Sequence, residues 1–138
     1  MPARDVYHDQ VRAALVKDGW KITHDPLPLK WNAKDAFVDL GAEEVVAAEK
    51  EGRTIAVEIK SFIGPSEMKD LEMALGQFVL YRMAMRKIYP GRELFLAITE
   101  KVYFSLFFGI EGRELIDDEK LQILVFDAQT EEIKRWVP

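Results

Sequence analysis

The chain has 138 residues, 49% of them apolar and 31% charged, with a formal net charge of −5 and no cysteine. That length suits one domain with a core large enough to need no covalent staples, and the lack of cysteine excludes disulfides and thiolate metal sites and points to a reducing cytoplasm. The acidic balance excludes nonspecific coating of DNA, so any nucleic-acid role must rest on a local basic patch, on metal ions or on a partner.

The opening Met1-Pro2-Ala3-Arg4-Asp5 carries no apolar targeting core, and no apolar run approaches membrane length, which predicts a soluble protein without a membrane role. Residues 4–18 are predicted as an amphipathic helix, with Val6, Val11, Ala14 and Leu15 on one side and Gly19 as its stop. A short strand is expected from Trp20 to Thr23, ended by His24-Asp25-Pro26-Leu27-Pro28. Ala36 to Leu40 is strand-like, Gly41 invites a bulge or bend, and Val45 to Glu49 continues as a strand. The turn Lys50-Glu51-Gly52-Arg53 makes 45–62 a hairpin.

Gly64-Pro65-Ser66 breaks the chain, and Ser66 is a good N-cap for a long helix over 67–88, closed by Pro90-Gly91. Leu94 to Thr99 is expected as a buried strand, 101–110 as a helix, Leu121 to Phe126 as another buried strand, and Ile133 to Val137 as an edge strand. The order predicts an α/β fold of the α+β kind, a central mixed sheet flanked by helices.

The stretch Thr54-Ile55-Ala56-Val57-Glu58-Ile59-Lys60 carries the most chemistry. Side chains alternate across a strand, so Glu58 and Lys60 project together while Ile55, Val57 and Ile59 point into the core. The acid-x-lysine spacing alone is weak, because Glu67-Met68-Lys69, Asp118-Glu119-Lys120 and Glu132-Ile133-Lys134 share it. Only Glu58-Ile59-Lys60 combines a strand with an upstream acid, Asp39, and a downstream helix bearing Gln77 and Tyr81 one turn apart. Mg²⁺ takes hard oxygen ligands, and Asp39, Glu58 and the main-chain carbonyl of Ile59 supply three. Such an ion activates water and neutralises charge on a phosphodiester undergoing hydrolysis. Lys60 is then placed to orient or deprotonate the water, and Gln77 to hydrogen-bond the nucleophile or the lysine. Tyr81 braces the same wall.

Other readings stand beside this one. Glu58 and Lys60 equally suit a same-face pair on a solvated sheet, worth only about 0–1 kcal/mol. His8, next to Asp9 on the first helix, is a candidate supporting residue or a surface histidine, and His24 suits a turn. Glu49 either approaches the cleft or ends a solvated hairpin. Arg82, Arg86, Lys87 and Arg92 suit either flanking phosphates or the favourable positive charge at a helix C-terminus. Tyr103, Phe104, Phe107 and Phe108 exceed one buried helical face and suit either a dimer or partner interface or a thick core.

Longer segments carry a resemblance. The opening through Asp9, Asp18-Gly19-Trp20-Lys21-Ile22-Thr23-His24-Asp25-Pro26, Asp39-Leu40-Gly41-Ala42-Glu43, Val57-Glu58-Ile59-Lys60-Ser61-Phe62 and Ala74 to Arg82 resemble the XisH family. These are the fdxN element excision controlling factors, best known from cyanobacteria. The family is similar in fold to the restriction-endonuclease-like PD-(D/E)xK nucleases, which implies one such domain over residues 1–138. Asp39, Glu58, Lys60 and Gln77 fall on the acid, acid-x-lysine and helix-glutamine positions, and Gln77-x-x-x-Tyr81 resembles the RecB-type branch. Val38 stands where proline commonly precedes the first acid.

The resemblance implies Mg²⁺ or Mn²⁺ as cofactor and DNA as partner. It also implies a role in removing a DNA element beside a site-specific recombinase and a small XisI-like companion. Two functions follow: a Mg²⁺-dependent DNA phosphodiesterase, or a non-catalytic controlling factor using a nuclease-like fold to bind its companion. A homo-oligomer whose polar residues brace the sheet is a third expectation.

Overall fold

Lys50 and Arg53 face each other across the two residues Glu51 and Gly52, whose φ angles of 51° and 79° are both left-handed. Two such residues match the right-handed twist of a tight hairpin, and they join β4 (Val45–Lys50) to β5 (Arg53–Ile59). Around this hairpin the computed structural model describes residues 5–33, 36–40 and 45–138, the side chains of 32, 33 and 36–39 excepted.

The element order is α1 (His8–Lys17), β1 (Lys21–His24), β2 (Lys30–Ala33), β3 (Ala36–Asp39), β4, β5, α2 (Glu67–Ile88), β6 (Glu93–Thr99), α3 (Glu100–Val102), a π-helical stretch (Tyr103–Phe107), α4 (Ile110–Glu119), β7 (Ile123–Asp127) and β8 (Glu132–Val137). Six strands form one mixed sheet in the order β1-β4-β5-β6-β7-β8. The central pairs β5/β6 and β6/β7 are parallel, and the outer pairs are antiparallel. The fold is therefore mixed α/β with flanking helices, as the element order predicted. No helix among the described residues is long and apolar enough to cross a membrane.

Two cores sandwich the sheet. On one face Val11 and Leu15 of α1 pack with Val46, Ile55, Val57, Ile59, Phe95 and Phe126. On the other, Leu71, Ala74, Phe78, Tyr81 and Met85 of α2 cover Val45, Ala56, Leu96 and Ile123, together with Phe107 and Ile116. Ser66 caps α2, its Oγ accepting from the Lys69 N–H at 3.2 Å, as its residue type predicts.

Three expectations are corrected. The strand at 36–40 does not extend the main sheet; β3 pairs with β2 as a separate antiparallel hairpin. The helix expected over 101–110 is a short α3 running into the π-helical stretch, broken at Gly109 and followed by α4, which periodicity did not indicate. Tyr103 and Phe107, four apart, share one face and both reach the core. The first helix starts at His8 rather than residue 4. The bend expected at Gly41 lies outside the described residues.

Gly112 is the residue that lets α4 pack back on this stretch. A Cβ there would sit 2.3 Å from both the Leu106 carbonyl oxygen and the Phe107 Cα. Because the clash is with main chain, Gly112→Ala is expected to destabilise the protein by about 3 kcal/mol, read as a lowered denaturation midpoint.

Candidate active site

Strand β5 is buried on both faces, and this decides where Glu58 goes. Ile55, Val57 and Ile59 enter the α1-side core. Ala56 enters the α2-side core, and Glu58 shares its face by alternation. Its register neighbours, Val45 on β4 and Leu96 on β6, belong to that same core. Glu58 is 0% exposed. A carboxyl group so deeply buried must be hydrogen-bonded, paired with a positive charge, bound to a cation or neutralised by a proton, so the solvated-pair reading is overturned for this residue.

Lys60 continues the alternation just beyond β5, with its main-chain N–H donating to the Ala97 carbonyl at 3.1 Å. It lines a cleft of about 180 Å³ with Asp5, Ser61, Gly64, Asp70 and Met73. The cleft lies beyond the carboxyl end of β5, which is where α/β sheets with parallel strands place ligands. Asp5 and Asp70 were not singled out in the sequence. Asp5 accepts from the Ser61 N–H at 2.8 Å and the Tyr7 N–H at 2.9 Å, and Asp70 accepts from the Gly64 N–H at 3.0 Å. The cleft-side loop is thus tied to both the N-terminal segment and α2. Phe62 anchors it, holding a left-handed φ of 56° while its ring is 9% exposed in the α2-side core. Bulky residues adopt that conformation only when packing compensates it.

Helix α2 forms the opposite wall. Asp70, Met73, Gln77 and Tyr81 recur at three- and four-residue steps, so they share one flank. Tyr81 is 2% exposed, and the side-chain oxygen of the part-buried Gln77 meets no hydrogen-bond donor among the described residues. Glu58, Lys60, Gln77 and Tyr81 therefore share one side of the sheet.

Asp39 ends β3 opposite Lys30, and its side chain lies outside the described residues. Its main chain is nevertheless located. The Leu40 N–H donates to the Leu29 carbonyl at 3.1 Å, and Leu29 and Leu40 pack in the α2-side core. The Leu27 N–H donates at 2.8 Å to the carbonyl of Val45, the register partner of Glu58. Among the described residues no three His, Asp or Glu side chains gather as a metal centre. A site here would combine Glu58 with Asp39 and the Ile59 carbonyl, and these hard oxygens fit Mg²⁺ or Mn²⁺ by donor chemistry.

The remaining candidates separate. His8 is not a surface histidine: it is 2% exposed, its Nε2 lies 2.8 Å from the Asp25 carboxylate, and Arg12 binds the same carboxylate. This clasp ties α1 to the segment after β1. Asp25→Ala is expected to cost about 1–3 kcal/mol by leaving the buried imidazole without its partner, measurable by thermal denaturation. His24 is exposed and bonded to Thr23, and it ends β1 opposite Ala47 instead of sitting in a turn. Glu49 pairs with Thr54 near the hairpin turn, away from Glu58.

In the basic cluster, Arg82 donates to the Glu119 and Lys120 carbonyls at the end of α4, and Arg92 to the Ile55 carbonyl. Those two arginines hold the fold together. Arg86 and Lys87 are exposed in the last turn of α2.

The family model for XisH protein matches residues 1–134. The chain belongs to the XisH family. Two solved XisH-type structures agree in fold along nearly the full length. An XisH family protein from Nostoc punctiforme superposes with a TM-score of 0.85 at 38% identity, covering 97% of this chain and 100% of that one. An fdxN element excision controlling factor protein from Anabaena variabilis superposes with a TM-score of 0.85 at 38% identity, covering 96% and 98%. None of the curated proteins matches the chain. The XisH assignment agrees with the resemblance in the motif segments, and it leaves the chemistry of the cleft to be argued from the residues.

Proposed function

We propose that this XisH family chain acts as an fdxN element excision controlling factor in programmed DNA element excision, and that it does so as a Mg²⁺-dependent DNA phosphodiesterase with a PD-(D/E)xK-type site. The observation that carries the reading is the fully buried Glu58 on a central strand, two residues before Lys60 at an open cleft. Glu58, Asp39 and the Ile59 carbonyl would hold the cation. When bound, Mg²⁺ would lower the pKa of a coordinated water and offset charge on the phosphate. Lys60 orients the attacking water and steadies the scissile phosphate. The water gives up one proton to bulk solvent as its oxygen bonds to phosphorus, the P–O bond to the leaving sugar oxygen breaks, and that oxygen takes a proton back from solvent, so the net change is addition of one water. Gln77 hydrogen-bonds the nucleophile or Lys60, and Tyr81 fixes the α2 wall.

The test is nicking or degradation of single-stranded, duplex and branched DNA by purified protein with Mg²⁺. Cleavage that disappears in Glu58→Ala supports the proposal. Wild type as inert as the variant on all three substrates ends it.

A second reading has its own support. Phe104 and Phe108 are 47% and 45% exposed and Ile110 is 74% exposed. The Phe104 and Phe108 rings lie 5.2 Å apart, with the Arg135 and Arg113 guanidinium groups over them. Exposed aromatics beside arginine suit a protein contact. In this reading the chain is a non-catalytic factor that binds a companion or recombinase. Capture of the companion by wild type and its loss in Phe104→Ser/Phe108→Ser would favour it, whereas excision that depends on Glu58 while binding persists would count against it.

A further inference from the structure

Helix α2 is apolar on two opposite sides. Its inner side, Leu71, Ala74, Phe78, Tyr81 and Met85, is buried against the sheet. Its outer side carries Met73, Leu80 and Met83, which are 61%, 43% and 41% exposed, arranged around Gly76. Met73, Gly76, Leu80 and Met83 follow steps of three, four and three residues, the seam spacing of a helix that packs on another helix. Among the described residues nothing calls for a glycine at Gly76: a Cβ there would meet none of them within 4 Å. Glycine is the poorest helix-interior residue after proline, and its use is to let another backbone or side chain approach closely.

We propose that this face pairs α2 with α2 of a second copy, antiparallel about a two-fold axis near the helix centre. The inference is independent of any catalytic role for the cleft. In that register Leu80 of each copy enters the space left by Gly76 of the other, and Met73 packs on Met83 of the second copy. Both apolar layers occur twice, as a two-fold contact requires.

Charge selects the antiparallel arrangement. Beside the seam, Glu72 lies in the first half of the helix and Arg86 in the last turn, both exposed. Antiparallel pairing puts Glu72 of each copy beside Arg86 of the other, whereas parallel pairing would put like charges together. Lys69 and Lys87 meet at the solvated ends, where Glu72 lies 3.5 Å from Lys69 in its own copy and offsets the repulsion. Met73 also lines the Lys60 cleft, so Met83 of the second copy would border the mouth of that cleft.

Sedimentation equilibrium of the full chain at micromolar to submillimolar concentration tests the pairing, with circular dichroism monitoring the fold. The expected result is a two-chain mass for wild type and a one-chain mass for Leu80→Glu with unchanged helicity. Glu72→Arg and Arg86→Glu should each weaken association on the order of tenfold or more, and the two combined should recover it. Wild type sedimenting at one-chain mass throughout, or Leu80→Glu sedimenting as wild type, overturns the pairing and leaves the seam to a different protein. No recovery in the combined variant overturns the antiparallel register.

Discussion

Lys60→Ala is expected to lower Mg²⁺-dependent DNA cleavage by about 10²–10⁴-fold, the range for loss of a positioned proton-transfer or charge-stabilising group, while the protein stays folded and still binds metal. The expectation comes from position. Lys60 stands just past the end of β5, part-exposed on the cleft, so removing its amine leaves the sheet intact. Glu58→Gln should behave differently. It keeps the shape of the buried side chain but removes the anionic donor, so both cleavage and the rise in melting temperature on adding Mg²⁺ should be lost. This split separates the catalytic account from one in which the polar residues only brace the sheet. Under bracing, Glu58→Gln would lower the melting temperature and leave any activity unchanged.

Phe107→Ala should cause the largest loss of stability, about 3–5 kcal/mol, as for other buried aromatic truncations. Phe107 is 0% exposed in the α2-side core, and Gly112 of α4 packs directly on its main chain. Against a domain stability of about 5–15 kcal/mol, such a loss would leave much of the chain unfolded at physiological temperature. Phe108→Ala, one residue on and 45% exposed, should cost less than about 1 kcal/mol. Urea denaturation of the pair checks both values. Equal losses would mean that the π-helical stretch does not direct the two rings to opposite environments.

That contrast shows where the sequence was readable. Alternation in β5, the Ser66 cap and the Gly52 turn are local signals, and each located its element. The long helix was located by its cap and its apolar spacing. The aromatic run was ambiguous because a π-helical stretch has no distinctive periodicity, so nothing local told Phe107 from Phe108. α4 was missed for a related reason. Its inner face rests on Gly112, Leu115 and Ile116, too few apolar positions to signal a helix.

The burial of the candidate site residues was less legible than their residue types. Spacing paired Glu58 with Lys60 and Gln77 with Tyr81, but their common side of the sheet and the burial of Glu58 follow from α2 covering that face. His8 could not be read as buried because its partner Asp25 is distant in sequence. Arg82 and Arg92 suited either flanking phosphates or the charge at a helix C-terminus, and in the fold they complete main-chain hydrogen bonding of α4 and β5. Charge counts along a chain cannot make that distinction.

The claim that Asp39 and Glu58 share one cation is tested most directly by anomalous diffraction from crystals soaked in Mn²⁺. The account predicts a single strong peak with oxygens of Asp39, Glu58 and the Ile59 carbonyl at about 2.0–2.3 Å, the range of hard divalent cations, within reach of the Lys60 cleft. A peak elsewhere, or no peak at a concentration that supports DNA cleavage, would contradict it.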